Sequence, residues 1–303
     1  MKHSCTRREF LATSSLMLLA AAAHGADAVP ETAEPIIDIH QHTNYSFRTD
    51  EQLLAHQKAM GVTQTILLPA GSLYGLEANC TGNQAVYDFA ADHPKEYVYF
   101  ANEVAGLPGA RSEIEKWLKR GAIGIGEQKF HVNCDSPAIE EVAELAQEYK
   151  VPVLMHFQHN VYNLGIQNMH KILEKFPKVN FIGHAQTWWS NIDKNSDQKT
   201  MYPIGKITPG GITDRLLTDY PNMYGDLSAG SGLNALNRDK DFARAFLERH
   251  QNKLLYGSDC NDSIGRGPGC QGARTIAAVR ELATSKAIER KLLYENSKKM
   301  FKL

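Results

Sequence analysis

The chain has 303 residues, 22% of them charged and 43% hydrophobic, with a formal net charge of −1. This is the balance of an ordinary soluble globular protein. It excludes the basic footprint of a nucleic-acid binder or a membrane-surface patch, and the length suits one large domain or two small ones.

The first segment reads as an export signal. Arg7 and Arg8 give a positive start, Phe10 to Ala23 is apolar, and Ala26-Asp27-Ala28 offers small residues for cleavage. The apolar run is shorter than the ~20 residues a membrane span needs, and no later stretch is long enough either. The pair within Thr6-Arg7-Arg8-Glu9-Phe10-Leu11 resembles the twin-arginine translocation motif. That resemblance implies export of an already folded protein to the periplasm, with the translocation machinery as a transient partner. Cleavage near Ala28 leaves residues 29–303 as one domain with 30 basic and 32 acidic residues, a net of −2. Neither stable membrane insertion nor nucleic acid is expected; a small-molecule substrate is, and the self-association state stays open.

From Pro35 onward, short apolar runs alternate with helix-period segments. The strand candidates are Pro35–His42, Val62–Ala70, Tyr97–Val104, Ala122–Phe130, Val151–Phe157, Val179–Ala185, Asn222–Ala229 and Lys253–Cys260. The segments between them read as helices, among them Asp50–Met60 closed by Gly61, one opened by Ser136-Pro137, and Asp239–His250. Gln186–Gly210 reads as a loop insertion, and a last helix, Ser285–Met300, is expected to pack on the exterior. Eight strand–helix units in ~250 residues predict an α/β fold, a single-domain (β/α)8 TIM barrel with an extra C-terminal helix. A doubly wound sheet would want a glycine-rich phosphate turn after its first strand; this chain has histidines there.

The ionisable residues gather at the strand C-termini, which face one another across the top of a barrel. His40 and His42 end the first strand, Glu127 and Lys129 the fourth, His156 the fifth, His184 the sixth and Asp259 the eighth. Residues two apart share a strand face, so His40 and His42 both point inward, and two imidazoles in an apolar strand are costly to bury without partners. With His156 and Asp259 they form an N/O ligand set for a divalent ion, zinc first, manganese or iron next. Asp259 is read as a metal ligand and general base, and His184 as orienting water or stabilising charge just outside the ligand shell. Lys129, His131, Trp188 and Arg266 are the substrate-binding candidates, Trp188 fitting ordinary loop packing equally well, with Tyr45 and Arg48 on the same barrel face; Arg48 or Arg266 can clamp a carboxylate, although a solvated surface charge is the commoner role for either.

The set IIDIHQH, VLMHF, FIGHA and LLYGSDC resembles the amidohydrolase superfamily. It is most similar to amidohydrolase family 2, which includes aminocarboxymuconate-semialdehyde decarboxylase-like enzymes; the resemblance runs from residue 35 to the terminal LLYENSKKMFKL. It implies a distorted barrel with one or two divalent ions held by His40, His42, His156 and Asp259, with His184 catalytic or metal-binding. Some branches of the superfamily place a carboxylated lysine on strand four, and TatD-like ones a glutamate. Gly126-Glu127-Gln128-Lys129 offers both, as well as a plain Glu127–Lys129 ion pair, and the reading favours Glu127 as a ligand or close partner of one.

The first expectation is therefore a hydrolase in which metal-activated water attacks a small ester, lactone or amide. A decarboxylase or hydratase acting on a small carboxylic acid shares nearly the same site, and a non-catalytic periplasmic binding protein is the third reading. The remaining cysteines, Cys80, Cys134, Cys260 and Cys270, show no CxxC pair, which argues against a thiolate zinc site; Cys260 and Cys270 lie in one loop, and their redox state is open.

Overall fold

The computed structural model describes residues 34–74 and 78–303. The export signal read at residues 1–28 lies outside the described residues.

Among the described residues the strands are β1 Ile37–Gln41, β2 Gln64–Leu67, β3 Tyr97–Tyr99, β4 Ile125–Gln128, β5 Val153–His156, β6 Phe181–His184, β7 Met223–Asp226 and β8 Leu254–Leu255. They form two parallel runs, β1-β2-β3 and β4 through β8. Backbone hydrogen bonds join the runs. Ala101 N donates to Gly124 O and Gly126 N to Ala101 O, both at 2.9 Å, linking β3 to β4; Ile39 N to Tyr256 O (3.1 Å) and Asp259 N to His40 O (2.8 Å) link β8 to β1. The protein is an α/β TIM barrel, and closure removes the exposed strand edges that favour aggregation.

Alternation of side chains along the strands builds the site. Leu154, Ile182 and Leu255 join Ile37, Ile39, Ile66, Leu68 and Phe100 in the inner cluster. Two residues after Leu154 and Ile182 come His156 and His184, on the same face one level higher. Tyr224 and Asp226 repeat the pattern on β7. Strand β1 departs from it: the pairings Asp38↔Thr65 and Gln41↔Leu67 spend three residues against two, a bulge. The extra residue lets Ile37, Ile39, His40 and His42 all face inward, while Asp38 and Gln41 turn toward Gln57 and Arg48.

Helix Asp50–Met60 begins with a Thr49–Gln52 capping box and ends at Gly61 in the left-handed region, as its punctuation implies. Two helices lie where none was expected. Ala185–Ser190 occupies the start of the anticipated insertion, and Ala229–Asn237 follows β7 directly. Gly230, Ser231 and Gly232 in the first turns of the latter weaken its helical signature. The C-terminal segment is Lys286–Arg290, a π turn over Lys291–Glu295, and Asn296–Phe301. It does not merely cover the exterior, because Phe301 enters the inner cluster with its ring 5.7 Å from that of Phe100. A short chain end thus contributes to the barrel's own core.

Candidate metal centre

Strand ends bring six groups to one point. His40 Nε2 and His42 Nε2 face each other at 3.2 Å. Glu127 divides its carboxylate between two pairs of imidazoles. Its Oε2 lies 3.6 Å from His40 Nε2 and 3.7 Å from His42 Nε2, and its Oε1 lies 2.5 Å from His156 Nδ1 and 3.5 Å from His184 Nε2. Asp259 faces the same centre, with Oδ1 3.8 Å from His40 Nε2 and 3.6 Å from His42 Nε2, and Oδ2 3.5 Å from His184 Nε2. All six residues are buried or nearly so.

The outer nitrogens fix the ring orientations. His40 Nδ1 donates to Asp226 Oδ2 at 2.7 Å, His42 Nδ1 to the Leu68 carbonyl at 2.7 Å, and His184 Nδ1 to Ser228 Oγ at 2.9 Å. Each proton held outside leaves an Nε2 lone pair aimed inward, the usual support of a metal-ligating histidine. His184 Nε2 is buried with no hydrogen-bond partner. A buried acceptor left unpaired beside convergent carboxylates fits a cation, so the residues present suit the divalent ion their strand positions suggest. Asp226 is the participant that sequence reasoning missed. It accepts from His40, from the Ser228 backbone at 3.0 Å and from the Ser228 hydroxyl at 2.7 Å, and lies 3.3 Å from His184 Nδ1. Its place two residues after Tyr224, at the end of β7, was the available signal. Gly257 makes room for the pair, since a Cβ there would sit 2.5 Å from Asp226 Oδ1 and 2.9 Å from His40 Cβ.

The electrostatics follow from this crowding. Burial opposes ionisation of Glu127, but His156, Lys129 and His40 overcome it and hold the carboxyl well below its usual range. Asp259 is held down likewise, burial being outweighed by His40, His184 and His42, and Asp226 is brought to about 2 by His184 and His40 against its own desolvation. In return His40, which burial would lower, is raised well above the imidazole range by Asp259, Asp226 and Glu127. His184 is raised because Asp226 and Asp259 outweigh burial and His40. Burial prevails at His156 and lowers it despite Glu127.

A pocket opens at the centre, lined by His42, Glu127 and Asp259 together with Tyr45, Lys129 and Cys80. Burial together with Asp259 and Glu127 pushes the Cys80 thiol to about 12. It therefore stays protonated, which makes it a poor nucleophile.

Of the four substrate-binding candidates, Lys129 alone reaches this pocket among the described residues. His131 is exposed, its Nδ1 2.8 Å from the Val161 carbonyl. Arg266 is exposed on the loop after β8 and does not line the pocket. Trp188 belongs to helix Ala185–Ser190 and is fully buried, stacked on Phe157 with centroids 5.9 Å apart. Gly183 admits its ring, since a Cβ there would come within 2.4 Å of the indole. Arg48 is neither a solvated charge nor a clamp. It is 3% exposed and spends its guanidinium on Gln41 Oε1 and on the carbonyls of Cys260 (2.7 Å), Asp262 (3.0 Å) and His42 (3.1 Å).

The family model for amidohydrolases (Amidohydro_2) matches residues 76–303. The chain belongs to this amidohydrolase family, and it is an enzyme. The match begins after β1, so His40 and His42 rest on the geometry above. A comparison with curated proteins gave no match. Among solved structures, the chain resembles an uncharacterized TIM-barrel protein from Bordetella bronchiseptica (14% identity, 89% of this chain and 99% of that one, TM-score 0.63). It also resembles a protein described as a probable 2-pyrone-4,6-dicarboxylic acid hydrolase from Acinetobacter baumannii (15%, 88% and 99%, 0.59) and a 2,6-dihydroxybenzoate decarboxylase from Rhizobium (13%, 89% and 99%, 0.55). At these identities the likeness is one of fold, and it spans both hydrolases and decarboxylases.

Proposed function

We propose that this amidohydrolase is a metal-dependent hydrolase of a small ester, lactone or amide, with Glu127 among the residues that would hold two divalent ions. The observation that carries this reading is the division of the Glu127 carboxylate, one oxygen toward His40 and His42 and the other toward His156 and His184. His40, His42, His156, His184, Glu127 and Asp259 would hold the ions, zinc first by ligand type, with manganese or iron as the other outcomes. When bound, such ions supply Lewis acidity toward a water or carbonyl oxygen. Asp259, lining the pocket, takes the proton that the attacking water gives up. Tyr45, whose phenol is pushed up by the Asp259 charge and by burial, keeps its proton and can donate to a developing oxyanion. Lys129, which lines the same pocket, orients a carbonyl or carboxylate of the substrate.

Lys129 also supports the second reading, decarboxylation, because its ammonium can hold a substrate carboxylate. Metal content per chain by elemental mass spectrometry, beside paired assays of lactone hydrolysis and of CO₂ release from aromatic acids, separates the two. Two ions in the natural protein, one in Glu127→Ala, and hydrolysis without CO₂ release are expected. One ion in the natural protein, still present in Glu127→Ala, together with CO₂ release, would replace this proposal with the lyase. The periplasmic address read from Arg7 and Arg8 belongs to the same proposal, and cell fractionation of the natural chain beside an Arg7→Lys, Arg8→Lys variant tests it.

A further inference from the structure

Outside the candidate centre, the fold assembles a second cluster from residues far apart in sequence. Cys260 follows β8, Cys270 caps helix Gln271–Leu282, and His56 and Met60 lie one turn apart on helix Asp50–Met60. Cys270 Sγ is 3.9 Å from Cys260 Sγ, 3.4 Å from His56 Nε2 and 3.7 Å from Met60 Sδ. One donor atom each from His56, Cys260 and Cys270 all lie within 4.8 Å of one another. Cys260, Cys270 and His56 have no solvent exposure, and Met60 is 8% exposed.

Two independent observations mark this as a built site rather than a chance meeting of thiols. The first is the edge lengths: a tetrahedral ion with bonds of roughly 2.0–2.3 Å to nitrogen and sulfur has ligand-to-ligand edges of about 3.5–3.8 Å, close to the three distances from Cys270. The second is His56, fully buried with Nδ1 lacking any partner and Nε2 aimed into the sulfurs. The buried Nε2 has only sulfur beside it, a weak hydrogen-bond partner, and a bound ion would be a better one, while Nδ1 keeps no partner. The packing is close on the helix side, where a Cβ at Gly272 would fall 2.7 Å from Met60 Sδ.

We infer that His56, Met60, Cys260 and Cys270 form a binding site for one soft monovalent ion, Cu(I), separate from the histidine–carboxylate centre. Two thiols and a thioether select Cu(I), whereas the carboxylates of the other centre suit harder divalent ions. Binding exchanges two thiol protons, released to solvent, for the ion and changes no oxidation state. The absence of a CxxC pair concealed the site, because two of its four donors come from a helix some 200 positions upstream. Cys260 adjoins Asp259 in sequence, and its carbonyl accepts from Arg48 and Gln41. A loaded ion would pin helix Asp50–Met60, the loop after β8 and helix Gln271–Leu282 together.

The test uses the whole chain under anaerobic, reducing conditions, with Cu(I) supplied as its coloured bicinchoninate complex. The protein is expected to withdraw one Cu(I) per chain and to unfold at a higher temperature once loaded. X-ray absorption is expected to show a mostly sulfur shell. Cys260→Ser and Cys270→Ser should each weaken binding at least ~100-fold, and Met60→Leu, which conserves volume, about tenfold. Circular dichroism on Met60→Leu keeps the test informative if a serine variant fails to fold. Equal withdrawal by the natural protein and all three variants would overturn the proposal, as would no withdrawal by the fully reduced chain. A Cys260–Cys270 disulfide found by mass in freshly purified protein, or uptake of Zn(II) but not Cu(I), would also overturn it.

Discussion

Strand β1 carries two buried polar assemblies, one on each side, and they differ in a way that separates structure from chemistry. Outward, Asp38 accepts four hydrogen bonds: His40 N at 3.0 Å, Gln57 Nε2 at 2.9 Å, Ser258 N at 2.8 Å and Ser258 Oγ at 2.5 Å. Gln41 and Arg48 extend that network to the Cys260 carbonyl. Most of its polarity is spent within the protein, with Arg48 Nε and Gln57 Oε1 the buried atoms left over. Inward, two residues away, His40 and His42 turn their Nε2 atoms toward each other and toward carboxylates, and His184 Nε2 is left without a hydrogen bond. Satisfied polar groups stabilise a fold, whereas convergent unsatisfied ones cost stability unless something binds them.

The contrast predicts opposite phenotypes on the two faces. Inward, Glu127→Gln keeps the size of the side chain but removes the charge that both imidazole pairs face. Hydrolysis should fall by about 10³-fold, while the metal-free protein loses less stability than Asp38→Asn does. A Glu127→Gln protein that unfolds early yet turns over normally would place Glu127 with the structural network instead. Outward, Asp38→Asn sets an amide against donors that need an acceptor. About 3 kcal/mol of stability should be lost in urea unfolding, with the number of metal ions per chain unchanged. Loss of metal without loss of stability would erase the distinction between the faces.

Asp226 stands between the two classes, because it is fully hydrogen-bonded yet bonds to inward-facing rings. Asp226→Asn should weaken metal binding about 10–100-fold, the range for supporting partners of metal-ligating histidines. Competition with a chromophoric chelator measures this, and an unchanged affinity would assign Asp226 to the fold alone.

What was readable beforehand follows the same division. An ionisable residue at the end of an apolar run is conspicuous in a sequence, so the groups on β1, β4, β5, β6 and β8 stood out and the structure brings them together. Asp226 had the same pattern on β7 but a weaker setting, because its run, NMYGDLSA, is barely apolar. The residues that were misplaced depend on distant chain segments. Trp188 turns inward because Gly183 leaves space beside it, Arg48 is captured by carbonyls some 200 residues downstream, and Phe301 reaches the inner core from the chain end. Local periodicity carries no record of such contacts. The barrel itself was legible because alternation of strand and helix is local, while the bulge in β1 that brings His40 and His42 to the face of Ile37 and Ile39 was not.

A third assembly supplies the smallest test, since it is satisfied like the outward face of β1 but only partly desolvated. Asp214 on helix Ile212–Asp219 accepts from Arg249 Nε at 3.2 Å and Nη2 at 3.0 Å, and from His250 Nε2 at 2.7 Å. Burial would raise its pKa, but His250 and Arg249 outweigh that and lower it from the ordinary 3.8. A carboxylate whose pKa is depressed on folding favours the folded state at every pH above its unfolded value, and that contribution fades as pH falls through the folded value. Solvent access to the pair limits the effect, so Asp214→Asn should cost only about 1 kcal/mol at pH 7. In urea titrations the gap between the natural protein and Asp214→Asn should be constant from pH 7 to pH 5 and close progressively below 3.8. A gap that persists unchanged to the lowest pH at which the protein folds would mean that Asp214 contributes through shape and neutral hydrogen bonds, and that charge pairing matters only where, as at Glu127, water is excluded.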